Sequence, residues 1–192
     1  MTPTRISLLE RLKVAGPDAT DWRRVNEIYY PLIRRWLKRV PGLGAEEDDL
    51  AQDVLLVVVR RLPGFRRERE GSFRAWLRKI TINRARAYHR KKARRPLVGL
   101  DPTGAYLVQL GSEGELARRW DSEHDRHVFQ KLLKIVKPDF QPITWEAFQR
   151  FALDGCPPAV VASELGLNVH SVLQAKSRIL KRLREEAGEL LE

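Results

Sequence analysis

The sequence of 192 residues predicts an all-α protein made of two small helical domains joined by a flexible linker. Three observations carry that expectation. Apolar residues recur at spacings of three and four, the period of an amphipathic helix. Proline and glycine clusters interrupt that period and mark the helix ends. No strand pairing, internal repeat or low-complexity tract is evident.

Taken in order, Met1 to Thr20 reads as an N-terminal arm with about one helical turn around Ile6 to Leu12. Asp21 is a plausible N-cap. Trp22, Val25, Ile28, Tyr29, Leu32, Ile33, Trp36, Leu37 and Val40 then follow a helical period. Pro31 lies inside that run, where a proline kinks a helix. Glu46 to Asp49 open a second helix, with acids set against the positive end of its dipole. That helix runs through Leu50, Val54, Leu55, Val58 and Leu62 to Pro63-Gly64. Val57-Val58-Val59 has strand propensity, but the helical period outweighs it. Ser72 caps a long third helix that ends in Arg90-Lys91-Lys92-Ala93-Arg94-Arg95 and stops at Pro96. These elements make a first domain, 1–95.

Residues 96–122 lose periodicity and contain Gly99, Pro102, Gly104, Gly111 and Gly114, so they read as the linker. The second domain, 123–192, contains a helix from about Asp121 to Lys137, broken by Pro138 and Pro142. A helix capped by Thr144 and ended by Gly155 follows. Another begins at Pro157-Pro158, and a last one runs from Val169 to near Leu190.

Charge is distributed unevenly. The chain has 36 Lys and Arg against 25 Asp and Glu, a net of +11. Arg60 to Arg95 alone holds 15 basic and 2 acidic residues, a net of +13, and the remainder carries a net of −2. The basic excess is therefore one local stripe, and it points to a polyanionic partner. A hydrophobic share of 43% supports a packed core. Cys156 is the single cysteine, which excludes an internal disulfide and a Cys-rich zinc site. Met1 to Arg11 lacks the apolar core of a signal peptide, and Val54 to Val59 is too short to span a bilayer. A cytoplasmic protein with no membrane insertion is expected.

Two constellations carry chemistry. In the basic stripe, cations are interleaved with Phe65, Phe73, Trp76 and Tyr88. Cations hold phosphates, and aromatic rings stack on unpaired bases. The helical period assigns Trp76 and Leu77 to the core. Arg84, Arg86 and Lys91 lie off that face and are assigned to phosphates, and Asn83 to a base edge. The second constellation is Ala159 to Val172, which has the form of a helix-turn-helix. Ala162 is small enough for a close crossing, and Gly166 suits the left-handed turn. Leu165, Leu167, Val169 and Val172 join the two helices, and Asn168 caps the second. The last helix turns Val172, Ala175, Ile179 and Leu183 inward. His170, Ser171, Gln174, Ser177, Arg178 and Lys181 point outward, as a major-groove reader requires.

Other features carry less. Four consecutive acids in Glu46 to Asp53 fan around a helix, so they do not converge on a metal. His124 and His127 lack a third ligand. No nucleophile–base pair, phosphate-binding glycine loop or nucleotide fingerprint is evident, and neither enzymatic activity nor a cofactor is expected.

The blocks Asp48-Asp49-Leu50-Ala51-Gln52-Asp53-Val54, Gly71 to Ile80 and Asn83 to Tyr88 resemble region 2 of bacterial sigma factors. The helix-turn-helix followed by Ala175 to Glu185 resembles region 4. With no further domain between them, the chain is similar to the extracytoplasmic-function (ECF) group of the sigma-70 family. The resemblance implies an alternative sigma factor whose partners are core RNA polymerase and promoter DNA. An anti-sigma factor is a further candidate partner. By position, polymerase docking falls to Asp49, Gln52, Asp53 and Leu56. Capture and opening of the −10 element falls to Phe65, Ser72, Phe73, Asn83, Arg84, Arg86, Arg90 and Lys91. Reading of the −35 element falls to the outward residues of the last helix. That helix departs from many relatives in carrying Leu173 and Ala175 where they have arginine.

Two other classes fit part of the pattern. A stand-alone helix-turn-helix regulator would bind closed duplex without polymerase, usually as a dimer on a palindrome. A metal-dependent nuclease would use Glu46 to Asp53 and lose cleavage on Asp49→Ala.

Overall fold

The computed structural model describes residues 8–14, 20–66, 72–93, 108 and 114–188. Every regular element among them is helical, so the all-α expectation holds. The chain divides into two compact units, Leu8–Val128 and Phe129–Gly188.

The first unit begins with α1 (Leu8–Val14). Leu8 and Leu12, one turn apart, are fully buried. This is more than the single turn expected of an N-terminal arm, because two leucines on one face find a partner in the rest of the unit. α1 packs on α2 and on the turn at Leu62–Gly64. Arg11 donates to the Asp21 carboxylate at 3.0 Å.

α2 (Thr20–Leu37) buries Val25, Ile28, Tyr29, Leu32, Ile33, Trp36 and Leu37, the stripe its period requires. Pro31 sits inside the helix without ending it. α3 (Glu47–Arg61) buries Leu50, Ala51, Val54, Leu55, Val57 and Val58. Its valine run is helical because burial against α2 and α4 outweighs the small intrinsic cost of β-branching. Pro63 and Gly64 close a short 3₁₀ turn, and α4 (Ser72–Ala93) follows.

α5 (Glu115–Val136) starts earlier than the sequence period indicates. Residues 115–122, expected as linker, are helical, and Ala117 and Trp120 are buried. Two buried residues spaced by three were too thin a pattern to outweigh the glycines before them. The rest of that stretch, apart from Gly114 and the exposed Val108, lies outside the described residues. The boundary between the two units falls within α5, after Val128.

In the second unit a 3₁₀ turn at Lys137–Asp139 leads to α6 (Pro142–Phe148). Pro142 opens this helix at its first turn rather than breaking it, and Thr144 lies within the helix rather than capping it. A proline there loses no hydrogen bond, since the first N–H groups of a helix are unpaired anyway. The chain continues as one π-helical turn, Gln149–Leu153, closed by Asp154 N–H to Gln149 C=O at 3.0 Å. α7 (Pro158–Leu165) and α8 (Val169–Ala187) complete the unit.

Candidate nucleic-acid interface

The sequence stripe Arg60 to Arg95 separates into surfaces with different work. Along α4, Lys79, Asn83 and Arg90 are exposed and Arg86 is partly exposed. Their spacings of four, three and four place them on one side of the helix. Lys91 and Lys92 are exposed at its end, and Arg84 is half-buried. Lys92 also donates to the Gly42 carbonyl at 3.1 Å and lies over the Tyr88 ring.

Two other arginines of α4 are engaged inside the unit. Arg74 pairs with Asp125 at 2.7 Å, and Arg78 with Asp121 at 2.9 Å. Arg78 also donates to the Ala117 carbonyl at 3.2 Å. These cations hold the first half of α5 against α4. The same segment of α5 meets α2 through Trp120 on Trp36, ring centroids 4.9 Å apart, and His124 on Tyr29. Arg39 pairs with Glu123, and His127 hydrogen-bonds the Ile28 carbonyl at 2.7 Å. His124 is fully buried with Nδ1 at Asp125, whereas His127 turns to the α2 backbone, so the two rings do not share a ligand. No cluster of metal-ligating side chains occurs among the described residues.

Burial opposes ionisation of Asp125 most strongly. The hydrogen bond from His124 and the Arg74 charge outweigh it and hold the carboxyl below its usual range. Burial pushes the Tyr29 phenol well above its usual value, and the Asp125 charge adds to this.

The aromatic assignments of the stripe reverse. Phe73 is 1% exposed and Phe65 8% exposed. Phe73 packs against Tyr29, Phe65 and Trp76, with centroids 5.5–5.6 Å apart. Lys13 of α1 covers the Phe65 ring. Neither ring presents a face to a base in this conformation, which corrects the stacking role expected for both. Trp76, expected in the core with Leu77, is only half-buried, whereas Leu77 is fully buried. The helical period identified one apolar face; the packing of α1 and α2 decided which ring lay at its edge. Ser72 begins α4, and its side chain lies outside what is described.

On α3, Asp49, Gln52, Asp53 and Leu56 occupy positions i, i+3, i+4 and i+7 and are all exposed, Leu56 by 51%. Asp48 turns to α2, where it accepts hydrogen bonds from Arg34 and Tyr30. The bond from Arg34, then that from Tyr30, depresses its carboxyl below the usual range. One acid of the cluster is thus structural while Asp49 and Asp53 face out. Beside them runs a groove of about 270 Å³ lined by Trp22, Val25, Asn26, Gln52, Leu55, Leu56 and Val59. Sequence reasoning missed Trp22 and Val59 as surface groups, since each also satisfies a helical period.

In the second unit, Ala147, Val161, Ala162, Val172 and Ala175 form a buried cluster, with Phe151, Cys156, Leu165 and Leu167 packed on it. Gly166 has φ +65°, the left-handed turn that an L side chain would strain. The Asn168 side chain accepts from Ser171 N–H at 2.7 Å and caps α8, as its position predicts. Ile179 and Leu183 are also inward. His170, Gln174, Ser177, Arg178 and Lys181 are exposed and Ser171 partly so. All six expected side chains thus belong to one helix outside its core face. Arg182 is instead engaged by Asp139 at 2.7 Å and Glu186 at 2.9 Å, and Arg150 pairs with Glu164.

The first unit is therefore an all-helical domain with a cationic helix and a separate acidic-apolar face. Residues 27–95 match the family model of sigma-70 region 2. The match supports a sigma-70 family sigma factor acting in transcription initiation, and a region 2 domain implies binding of core RNA polymerase and promoter DNA. No curated protein matches the chain. Among the described residues, no helix is long and apolar enough to cross a membrane.

Proposed function

We propose that this chain is an alternative sigma factor of the extracytoplasmic-function type, cytoplasmic, and not itself an enzyme. The observation that carries the reading is the row on α4 of Lys79, Asn83 and Arg90, exposed, with the partly exposed Arg86 among them, inside the region 2 match. In this reading the row holds the −10 strand by its phosphates, Asn83 meets a base edge, and the half-exposed Trp76 at the same side supplies the ring. Asp49, Gln52, Asp53 and Leu56 dock on core polymerase: two carboxylates meet basic side chains, and Leu56 fills an apolar contact. The second unit acts as region 4, a helix-turn-helix that lays α8 in the major groove of the −35 element. An anti-sigma factor would compete for the α3 face.

The test is reconstitution. The full chain should co-purify with core RNA polymerase at low salt and yield run-off transcripts from a matching promoter. Asp53→Lys with Leu56→Ala should abolish co-purification. Tight binding of the free chain to a palindromic duplex, without polymerase, would favour the stand-alone regulator instead.

A further inference from the structure

α8 carries two large apolar side chains that its core leaves substantially exposed. Val169, expected to help join the two helices, is instead 40% exposed, and Leu173, one helical turn on, is 45% exposed. They flank the polar row His170, Gln174 and Ser177 in the first half of the helix. The inward face is filled by Val172, Ala175 and Ile179, and these two lie beside it with their outer parts open to solvent. From Val169 to Arg184 the helix has no acid, while Lys176, Arg178, Lys181 and Arg184 supply cations besides the ion-paired Arg182. Apolar side chains set in a cationic, acid-free helix suit a polyanion with an apolar feature on it.

We propose that Leu173, with Val169 behind it, contacts the 5-methyl group of a thymine in the major groove, next to an adenine read by Gln174. The proposal rests on the reading of the second unit as a duplex reader and names its base preference. Of the four bases, thymine alone presents an apolar group in the major groove, and glutamine matches the donor and acceptor of adenine. Gln174 is held for this: its side-chain amide and the His170 ring are 2.8 Å apart. The amide donates one N–H to the ring, which leaves a second N–H and the carbonyl for the base. The N-terminal part of such a helix is the part that meets base edges. An arginine at position 173 would select guanine instead, so the leucine shifts the site toward A·T.

The experiment uses the full chain bound to core polymerase. Duplexes randomised over an upstream block are selected for binding, and each thymine of the selected block is then replaced by deoxyuridine, which deletes only the methyl. At one position the replacement should weaken binding about fourfold, the value of one buried carbon. Leu173→Ala should lose that sensitivity and its preference for T·A there, while keeping its fold, since the side chain is exposed. Selective binding that ignores every replacement would overturn the inference and leave region 4 reading intact. An unchanged profile with lost polymerase binding in Leu173→Ala would make Leu173 a protein contact and overturn it too. No enrichment in the block at all would instead remove the duplex reading on which it rests.

Discussion

The two cationic helices, α4 and α8, are built differently. α4 has neighbours on several sides, and the acids of α5 claim Arg74 and Arg78. Its outward cations begin at Lys79. α8 keeps one flank for its core and engages Arg182 with Asp139 and Glu186. Lys176 lies over the Phe151 ring. Arg178 and Lys181 remain outward. Arg74 and Arg78 are thus claimed by the next helix along, whereas Arg182 is claimed by an acid of the preceding 3₁₀ turn and by one four residues on in its own helix. The difference also separates their apolar groups: the rings of α4 are largely packed away, whereas Val169 and Leu173 of α8 face water.

The comparison can be broken most sharply at Phe73. Phe73→Ala should cost about 3–5 kcal/mol in denaturant unfolding of the first unit. Trp76→Ala should cost much less stability and should weaken binding to an opened −10 strand. The reverse ranking would return Phe73 to the surface.

The next test separates engaged from outward cations. Arg90→Ala should reduce the slope of log affinity against log salt for single-stranded DNA by about 0.7. Arg78→Ala should leave that slope alone, and its effect should appear as weaker packing of α5. A slope change for Arg78 equal to that for Arg90 would mean that the ion pair with Asp121 does not hold in solution.

The α4–α5 contact should also respond to acid. Asp125 titrates below its ordinary value of 3.8, so its contribution is fully present above that pH. It is lost as pH falls through the lowered value. Tryptophan fluorescence, to which the Trp36–Trp120 pair contributes among five tryptophans, should change below about pH 4 and lose part of that response in Asp125→Asn.

The smallest effect is at the α8 cap. Asn168→Ala removes the acceptor for Ser171 N–H and should cost about 1 kcal/mol. Thermal unfolding of the second unit reads it, and Asn168→Ser should recover most of the loss.

Several features were legible in the sequence because they are local. Helix α3 with its outward Asp49, Gln52, Asp53 and Leu56 follows from a 3.6-residue period. The Gly166 turn and the Asn168 cap follow from backbone chemistry within a few residues. The outward face of α8 follows once Val172, Ala175 and Ile179 are assigned inward. The early start of α5 and the opening of α6 at Pro142 were missed, since a few buried residues and a first-turn proline look much the same in linkers.

The sequence by itself thus determined that this protein is all-helical, that its positive charge is concentrated between Arg60 and Arg95, and which side chains of α8 point away from its core. Periodicity and capping act over one or two turns, so they can be read from the chain alone. Only the tertiary structure decided that Arg74 and Arg78 bind α5, that Phe65 and Phe73 are packed away, and that Trp76 lies at the edge. Those outcomes depend on residues far apart in the chain, such as Arg78 with Asp121 at 43 positions, Tyr29 with Phe73 at 44 and Arg74 with Asp125 at 51, and no local pattern specifies which distant partner closes over a face.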